Sequence, residues 1–145
     1  MPVRPRRIHA LLWALAFALA AHHLAAASSV VAVVASKSAI PKLTRSQVAD
    51  LFLGRSNRLP DGLKATPLDL PEGSPVRDAF YAAFSGKSPA QVKAHWSKII
   101  FTGRGEPPAQ LPDSEAAKRA LAADLRAIAY IDPALVDGSL RVISP

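Results

Sequence analysis

The sequence of 145 residues contains no cysteine and few histidines. Disulfide-stapled scaffolds are therefore excluded, and packing alone must hold the fold, which a domain of more than about 100 residues can achieve. Three of the four histidines lie in the first 27 residues, and only His95 follows them. A zinc site or a histidine-based catalytic triad lacks the side chains it needs. We therefore expect no metal, no cofactor and no enzymatic activity.

Long apolar runs are absent after residue 27. The first 27 residues have a basic start, an apolar stretch over 8–21 and small residues ending at Ala27, which is the order of a secretory signal peptide. We expect cleavage after Ala27 and a single domain over 28–145, located in the periplasm or secreted. A membrane span needs about 20 unbroken apolar residues, and His22 and His23 interrupt this stretch. An uncleaved leader is the alternative, and it is the only membrane contact that the sequence predicts.

Acidic residues are outnumbered, with 11 Asp and Glu against 18 Lys and Arg, which gives a formal net charge of +7. Loss of the leader removes three arginines and no acidic residue, so the remaining charge is +4. The basic residues are spread along the chain, and few aromatic residues lie among them. This pattern argues against nucleic-acid binding and favours an anionic ligand only weakly.

Hydrophobic periodicity predicts strands and helices in an interleaved order. The predicted strands cover 30–35, 65–70, 127–131 and 140–143, and the predicted helices begin at Thr44, Ser74, Ser88 and near Ser114. Interleaved strands and helices indicate an α/β domain. We expect a mixed or mostly parallel sheet of about four strands, covered on both faces by about four helices.

Breaker residues and apolar spacing refine this scheme. Pro67 lacks a backbone donor and predicts an edge position for the second strand. The glycines and prolines of 101–112 predict a loop with no regular element, either a functional loop or a spacer. The fourth helix is expected to end near Arg126 with Leu125 facing inward, and Ile100 is placed on the inward stripe of the third helix.

Seven short segments follow one another in an order that is more specific than any one of them. They are Leu51 to Arg55, Pro60 to Gly62, Pro67 to Asp69, Arg77 to Phe80, Trp96, Phe101 to Gly105 with the paired prolines behind it, and Ala127 to Tyr130. Together they resemble the small exported proteins related to the phosphate-binding component of ABC transporters, in the type II periplasmic binding protein superfamily. The resemblance implies one α/β lobe that binds an oxyanion at its loop edge, with a role linked to phosphate uptake or sensing.

The resemblance also has departures that bear on function. Full-length phosphate receptors typically carry Gly-Ser-Gly-Thr where this chain has Gly73-Ser74-Pro75-Val76, and Leu70 stands where an arginine is common. A receptor of this type closes two lobes around its ligand, and this chain has residues for one. We therefore expect weak recognition of phosphate or a related oxyanion. The alternative is an interaction module of the cell envelope that keeps the fold, has lost the ligand and contacts an envelope or transporter protein.

Eight residues are predicted to contact the anion, namely Ser36, Lys37, Ser38, Ser74, Arg77, Thr102, Gly103 and Arg104. Ser74 is placed to cap a helix, and a backbone amide cluster at a helix start binds anions. Arg77 in the first turn opposes the helix dipole, which a bound anion would compensate. A cap without a ligand is the alternative for Ser74, and an ion pair with a nearby acid is the alternative for Arg77. The acids in reach are Asp69, Glu72 and Asp78.

The other predicted contacts lie on two loops. Ser36 to Ser38 follow the first strand at its carboxyl end, which is the edge where open α/β sheets bind ligands. Thr102 to Arg104 could bring backbone amides and a guanidinium to the same edge, and Gly103 permits close approach. For both loops the alternative is a solvated loop without a ligand.

Overall fold

The computed structural model describes residues 29–145. The predicted signal peptide over residues 1–27 lies outside the described residues. The strands are β1 (Val31–Ala35), β2 (Thr66–Asp69), β3 (Ala109–Gln110), β4 (Ala127–Ile131) and β5 (Leu140–Ser144). The helices are α1 (Arg45–Phe52), α2 (Pro75–Ser85), α3 (Pro89–Phe101) and α4 (Ser114–Ala123), with a short 3-10 helix at Pro133–Leu135. Within the described part of the chain, no helix has both the length and the apolar character needed to cross a bilayer.

The five strands form one mixed sheet in the order β3-β2-β4-β1-β5. β2 runs parallel to β3 and β4, whereas β1 runs antiparallel to β4 and β5. The expected α/β class with a mixed sheet and four helices is confirmed, with one strand more than expected. β1 and β2 therefore run in opposite directions. The loops that follow these two strands lie at opposite edges of the sheet.

Both faces of the sheet are covered. Alternate residues of a strand face opposite sides, and Val34 of β1 packs with α1, α2 and α3 whereas Val33 packs with α4. The larger cluster contains Phe52, Phe80 and Trp96. The ring of Phe80 stacks on that of Tyr130 of β4, with centroids 3.9 Å apart. α2 is therefore fixed tightly against the central strand.

Local capping signals set the helix starts. Thr44 and Ser88 each form a capping box with the glutamine three residues later. Ser74 caps α2, and Pro75 occupies the first helical position, where its missing N–H costs no hydrogen bond. Gly86 ends α2 with φ of +66°, a backbone conformation that glycine adopts readily.

The predicted edge position for β2 is wrong, because β3 covers its outer side. The expectation of no regular element over 101–112 is wrong for the same reason. Thr66 donates its N–H to Arg126 at the start of β4, and the next residue, Pro67, faces the opposite neighbour. Pairing with β3 begins only at Leu68. The donor that Pro67 lacks is therefore not needed by the sheet.

Two apolar side chains predicted to face inward are exposed. α4 ends at Ala123, so Leu125 lies in the turn before β4, where helical spacing no longer applies, and it is 48% exposed. Ile100 is 55% exposed, because Ile99 takes the partly buried position beside the core. The expectations for Leu125 and Ile100 are therefore wrong.

Candidate functional site

The N-terminus of α2 follows directly from the carboxyl end of β2. β2 ends at Asp69, and a turn closes with the Ser74 N–H donating to the Pro71 carbonyl at 3.1 Å. Gly73 adopts φ of +84° within this turn, with open space where a Cβ would lie. The Ser74 hydroxyl oxygen accepts the Arg77 N–H at 3.4 Å. Ser74 therefore caps the helix as its position in the sequence predicts.

A buried charge lies beneath this helix start. Asp69 is 1% exposed, and its carboxylate accepts four hydrogen bonds. The Arg77 Nε and the Tyr81 hydroxyl donate to Oδ2 at 3.2 and 2.9 Å, while the Leu70 N–H at 2.9 Å and the Tyr130 hydroxyl donate to Oδ1. We call these side chains of Asp69, Arg77, Tyr81 and Tyr130 the Asp69 cluster. Its two charges cancel, its carboxylate is fully hydrogen-bonded, and it connects β2, α2 and β4.

The electrostatics of the Asp69 cluster keep its members in one charge state. Burial and the neighbouring Asp69 carboxylate raise the pKa of Tyr81 and of Tyr130, so both hydroxyls remain protonated donors. Burial is the largest single influence on Arg77 and opposes its charge, but the attraction and hydrogen bond of Asp69, together with the neighbouring Tyr81 and Tyr130, outweigh it and raise the pKa of Arg77. The guanidinium also lies over the Tyr81 ring at 5.0 Å. The arginine is therefore held as a buried cation.

The structure places Arg77 where the ion-pair alternative put it. Arg77 is 4% exposed, and its side chain forms an ion pair with Asp69. Glu72, another candidate partner, instead pairs with Lys93 on the surface, with 3.2 Å between the Lys93 Nζ and Glu72 Oε2 atoms. A guanidinium in this position faces the interior of the domain. It positions α2 on the sheet through Asp69.

The Ser36 to Ser38 loop lies at the opposite edge of the sheet from Ser74. Because β1 is antiparallel to β4, its residue Val31 pairs with Ile131 at the carboxyl end of β4, and its own carboxyl end lies at the start of β4. Ser38 is buried there and donates its hydroxyl to the Leu125 carbonyl at 2.6 Å. The expectation that Ser36, Lys37 and Ser38 share one edge with Ser74 is therefore wrong. Ser36 and Lys37 are exposed.

The Thr102 to Arg104 loop uses its amides to end α3. The N–H groups of Thr102, Gly103 and Arg104 donate to the carbonyls of Lys98, Ile100 and Ile99 at 3.0 to 3.1 Å. The three residues are exposed. Their amides are thus occupied by the protein itself, at the helix end whose partial charge is negative.

Three donors remain at the start of α2. Within residues 29–145 the N–H groups of Gly73 and Val76 find no hydrogen-bond acceptor, and the Ser74 hydroxyl accepts a bond without donating one. Of the eight predicted residues, only Ser74 offers a donor at this helix start. The two amides follow from the helix geometry, since the first amides of any helix lack intrahelical partners.

Sequence reasoning missed the two tyrosines that complete the Asp69 cluster. Tyr81 follows Arg77 by four residues on α2, so their side chains share one helix face, and this spacing was an available signal. Tyr130 is 61 residues from Asp69, and no local pattern connects them.

Larger surface cavities of residues 29–145 lie away from the start of α2. One of about 250 Å³ lies beside α1, and one of about 360 Å³ lies between the end of α1 and the loop before β3. The first is lined by Gln47, Asp50 and Arg58 among others, and the second by Trp96 and Glu106 among others. Neither is lined by any of the eight predicted residues.

Comparison with known proteins gives a clear structural relationship. No protein-family model matches the sequence, and no curated protein matches it. A structure from Clostridium perfringens, described as a phosphate ABC transporter substrate-binding protein with bound phosphate, is similar with a TM-score of 0.62 and 18% sequence identity. An ABC-type phosphate transport receptor from Vibrio cholerae is similar with a TM-score of 0.60 and 19% identity.

The extent of the match defines what is shared. Each comparison covers 79% of this chain, but only 43% of the Clostridium protein and 44% of the Vibrio protein. The matched part of this chain thus spans less than half the length of either neighbour. At this level of identity the likeness concerns the fold. The chain has the fold of a single lobe of the phosphate ABC transporter substrate-binding proteins.

Proposed function

We propose that this protein is an exported, solute-binding-like protein that recognises phosphate or a related oxyanion without covalent chemistry. Its place would be the periplasm or the extracellular space, and its role would be linked to phosphate uptake or sensing. The observation that carries this proposal is the shared fold with two phosphate-binding proteins, one of them with bound phosphate. The start of α2 at the carboxyl end of β2 supplies donors for an anion.

The proposed contacts are fewer than the eight residues named from the sequence. The Ser74 hydroxyl and the N–H groups of Gly73 and Val76 would donate to the anion. Arg77 would act through Asp69 by fixing the helix start, because its guanidinium is already paired. With three neutral donors and no free guanidinium, binding would be weaker than a charge-assisted site allows.

The remaining predicted residues take a secondary place in this proposal. Lys37 and Arg104 are exposed cations that would raise the local concentration of an anion without contacting it. Ser36, Ser38, Thr102 and Gly103 would serve the fold, through the turn after β1 and the end of α3.

The test is a titration of isotope-labelled protein with phosphate, followed by amide chemical shifts in NMR at constant pH and ionic strength. We expect the Gly73, Ser74 and Val76 amides to shift and saturate, and sulfate to act more weakly or not at all. Ser74→Ala removes one donor and should reduce the affinity several-fold. An absence of saturable shifts with phosphate, sulfate and related oxyanions would contradict the proposal.

Ser88→Ala is the matched control. Ser88 caps α3 and is followed by Pro89, just as Ser74 caps α2 and is followed by Pro75. Each substitution removes a cap of about 1 kcal/mol, so the two variants should lose similar stability. Only Ser74→Ala should lose affinity. Equal loss in both variants would show that the effect on binding comes from stability alone.

The alternative candidate is a ligand-free interaction module of the cell envelope. The observation that favours it is the ion pair of Arg77 with Asp69 at 3.2 Å, which takes up the one cation of the helix start. A folded protein that gives no response to any oxyanion, and that binds an envelope or transporter protein with defined stoichiometry, would support this candidate over the first.

A further inference from the structure

The C-terminal end of α3 carries the most exposed large apolar side chain in the described part of the chain. Phe101 is 93% exposed, and the preceding Ile100 is 55% exposed. A phenyl ring with this exposure contacts almost nothing of its own domain and projects from the surface. We call Lys98, Ile100, Phe101 and Arg104 the Phe101 tip.

The three backbone carbonyls before Phe101 already have hydrogen-bond donors. The Lys98 carbonyl accepts the Thr102 N–H at 3.1 Å and the Thr102 hydroxyl at 2.8 Å. The Ile99 carbonyl accepts the Arg104 N–H at 3.0 Å and the same hydroxyl at 3.2 Å, and the Ile100 carbonyl accepts the Gly103 N–H at 3.0 Å. A helix end can enter a poorly hydrated environment only when its carbonyls have partners. Here the last three carbonyls before Phe101 have them.

The apolar pair is bracketed by cations. Lys98 and Arg104 are exposed, and neither forms an ion pair within residues 29–145. Glu106 is the one acidic residue close to them in sequence, and it is also exposed. Basic residues around protruding aromatic side chains match the charge of an anionic lipid surface, in which the ring enters the interface and the cations meet the headgroups.

We propose that the Phe101 tip binds reversibly to anionic phospholipid bilayers, with the Phe101 and Ile100 side chains in the interfacial region. A lipid surface fits the tip better than a protein partner does. The neighbouring exposed residues Thr102, Gly103 and Gly105 supply no further apolar area, and a protein interface needs an apolar core of several residues. This proposal does not depend on oxyanion binding at α2.

The test is sedimentation of the full chain, as purified after export, with phosphatidylcholine vesicles that contain or lack phosphatidylglycerol. We expect binding to the anionic vesicles, weakened by salt. Phe101→Ser should reduce the partition coefficient by about tenfold, since an apolar side chain of this size is lost from the interface. Lys98→Glu with Arg104→Glu should remove the preference for anionic lipid. Parent and variants share the same N-terminus, so any contribution of residues 1–28 cancels.

Leu135→Ser is the matched control. Leu135 is 38% exposed, and the charged residues closest to it in sequence are Asp132 and Asp137. Its substitution should leave vesicle binding unchanged. Equal binding of the parent and Phe101→Ser to anionic vesicles would overturn the proposal. So would a result in which Phe101→Ser weakens binding to a protein and leaves lipid binding unaffected.

Discussion

The start of α2 and the end of α3 depart from the usual pattern of buried apolar and exposed charged side chains in opposite ways. The start of α2 buries charged side chains, and the end of α3 exposes an apolar one. At the start of α2, the charged Asp69 and Arg77 are 1% and 4% exposed. At the end of α3, Phe101 is 93% exposed. The buried charges neutralise each other and the carboxylate accepts hydrogen bonds from two tyrosines, whereas the exposed ring has no partner in the described part of the chain. The fold therefore explains the buried charges, whereas it gives the exposed ring no packing role.

The difference also concerns what each end can still bind. Buried charges are tolerated when they are paired and hydrogen-bonded, and the Asp69 cluster meets this requirement with four bonds to one carboxylate. That satisfaction leaves the start of α2 with neutral donors only. At the end of α3 the carbonyls of Lys98, Ile99 and Ile100 are satisfied, and the Ile100 and Phe101 side chains are exposed. Any interaction there must use the Phe101 ring and its flanking cations.

The largest effect is expected from breaking the buried pair with Asp69→Ala. The substitution leaves Arg77 as an unpaired buried cation and deprives Tyr81 and Tyr130 of their acceptor. Loss of one partner of a buried pair typically costs about 3 to 5 kcal/mol. Urea denaturation followed by circular dichroism measures this loss directly.

The control is the double variant Asp69→Leu with Arg77→Met, which replaces both charges with apolar side chains. It should be more stable than Asp69→Ala, because no uncompensated charge stays buried. If the double variant is as unstable as the single variant or less stable, the cost comes from lost packing and not from an unpaired charge.

A smaller effect is expected at alkaline pH, and only at the start of α2. The pKa of Tyr81 and of Tyr130 is raised from the ordinary value of 10.0. Above about pH 10, the unfolded chain therefore releases phenolic protons that the folded protein retains. The free energy of unfolding should be constant with respect to these groups below pH 10 and should fall as the pH rises beyond it.

Urea denaturation midpoints measured between about pH 8 and 11 report this dependence. This pH range brackets the ordinary tyrosine pKa. The variant with Tyr81→Phe and Tyr130→Phe should show a shallower decline, because the two buried phenols no longer titrate. Phe101 and Ile100 carry no titratable group, so Phe101→Ser should follow the decline of the parent. A steep decline that persists in the double tyrosine variant would assign the effect to other groups.

Much of the fold follows from short-range signals in the sequence. The caps at Thr44, Ser74 and Ser88 depend on residues three positions apart, and all three helices begin where these signals place them. The β-branched run of β1 predicted a strand covered on both faces, and the structure buries it between two layers of helices. Such features are encoded within one turn or one strand and need no knowledge of the rest of the chain.

The candidate site was harder to predict, because it depends on long-range pairing. For Ser38 and Ser74 to contact one anion, β1 and β2 would have to run in the same direction, and strand direction is set by pairing with β4, about 95 residues after β1. Tyr130 joins Asp69 across 61 residues. No local sequence pattern around Ser38 or Tyr130 indicates these contacts. The ion pair between Asp69 and Arg77 spans only eight residues, and it is among the alternatives that the sequence predicts.

The smallest expected effect completes the comparison between the two helix ends. Phe101→Ser should change the free energy of unfolding by no more than about 0.5 kcal/mol, since substitutions of exposed side chains without partners rarely do more. Phe84→Ser is the matched substitution at a position that is 6% exposed, and truncation of a buried phenylalanine typically costs about 3 to 5 kcal/mol. Urea denaturation of both variants measures the contrast. A loss of more than about 1 kcal/mol in Phe101→Ser would exceed what an exposed side chain without partners contributes. It would mean that the ring packs on its own domain. If instead stability is unchanged, packing within the domain does not account for this ring, which is the result that the proposed lipid contact requires.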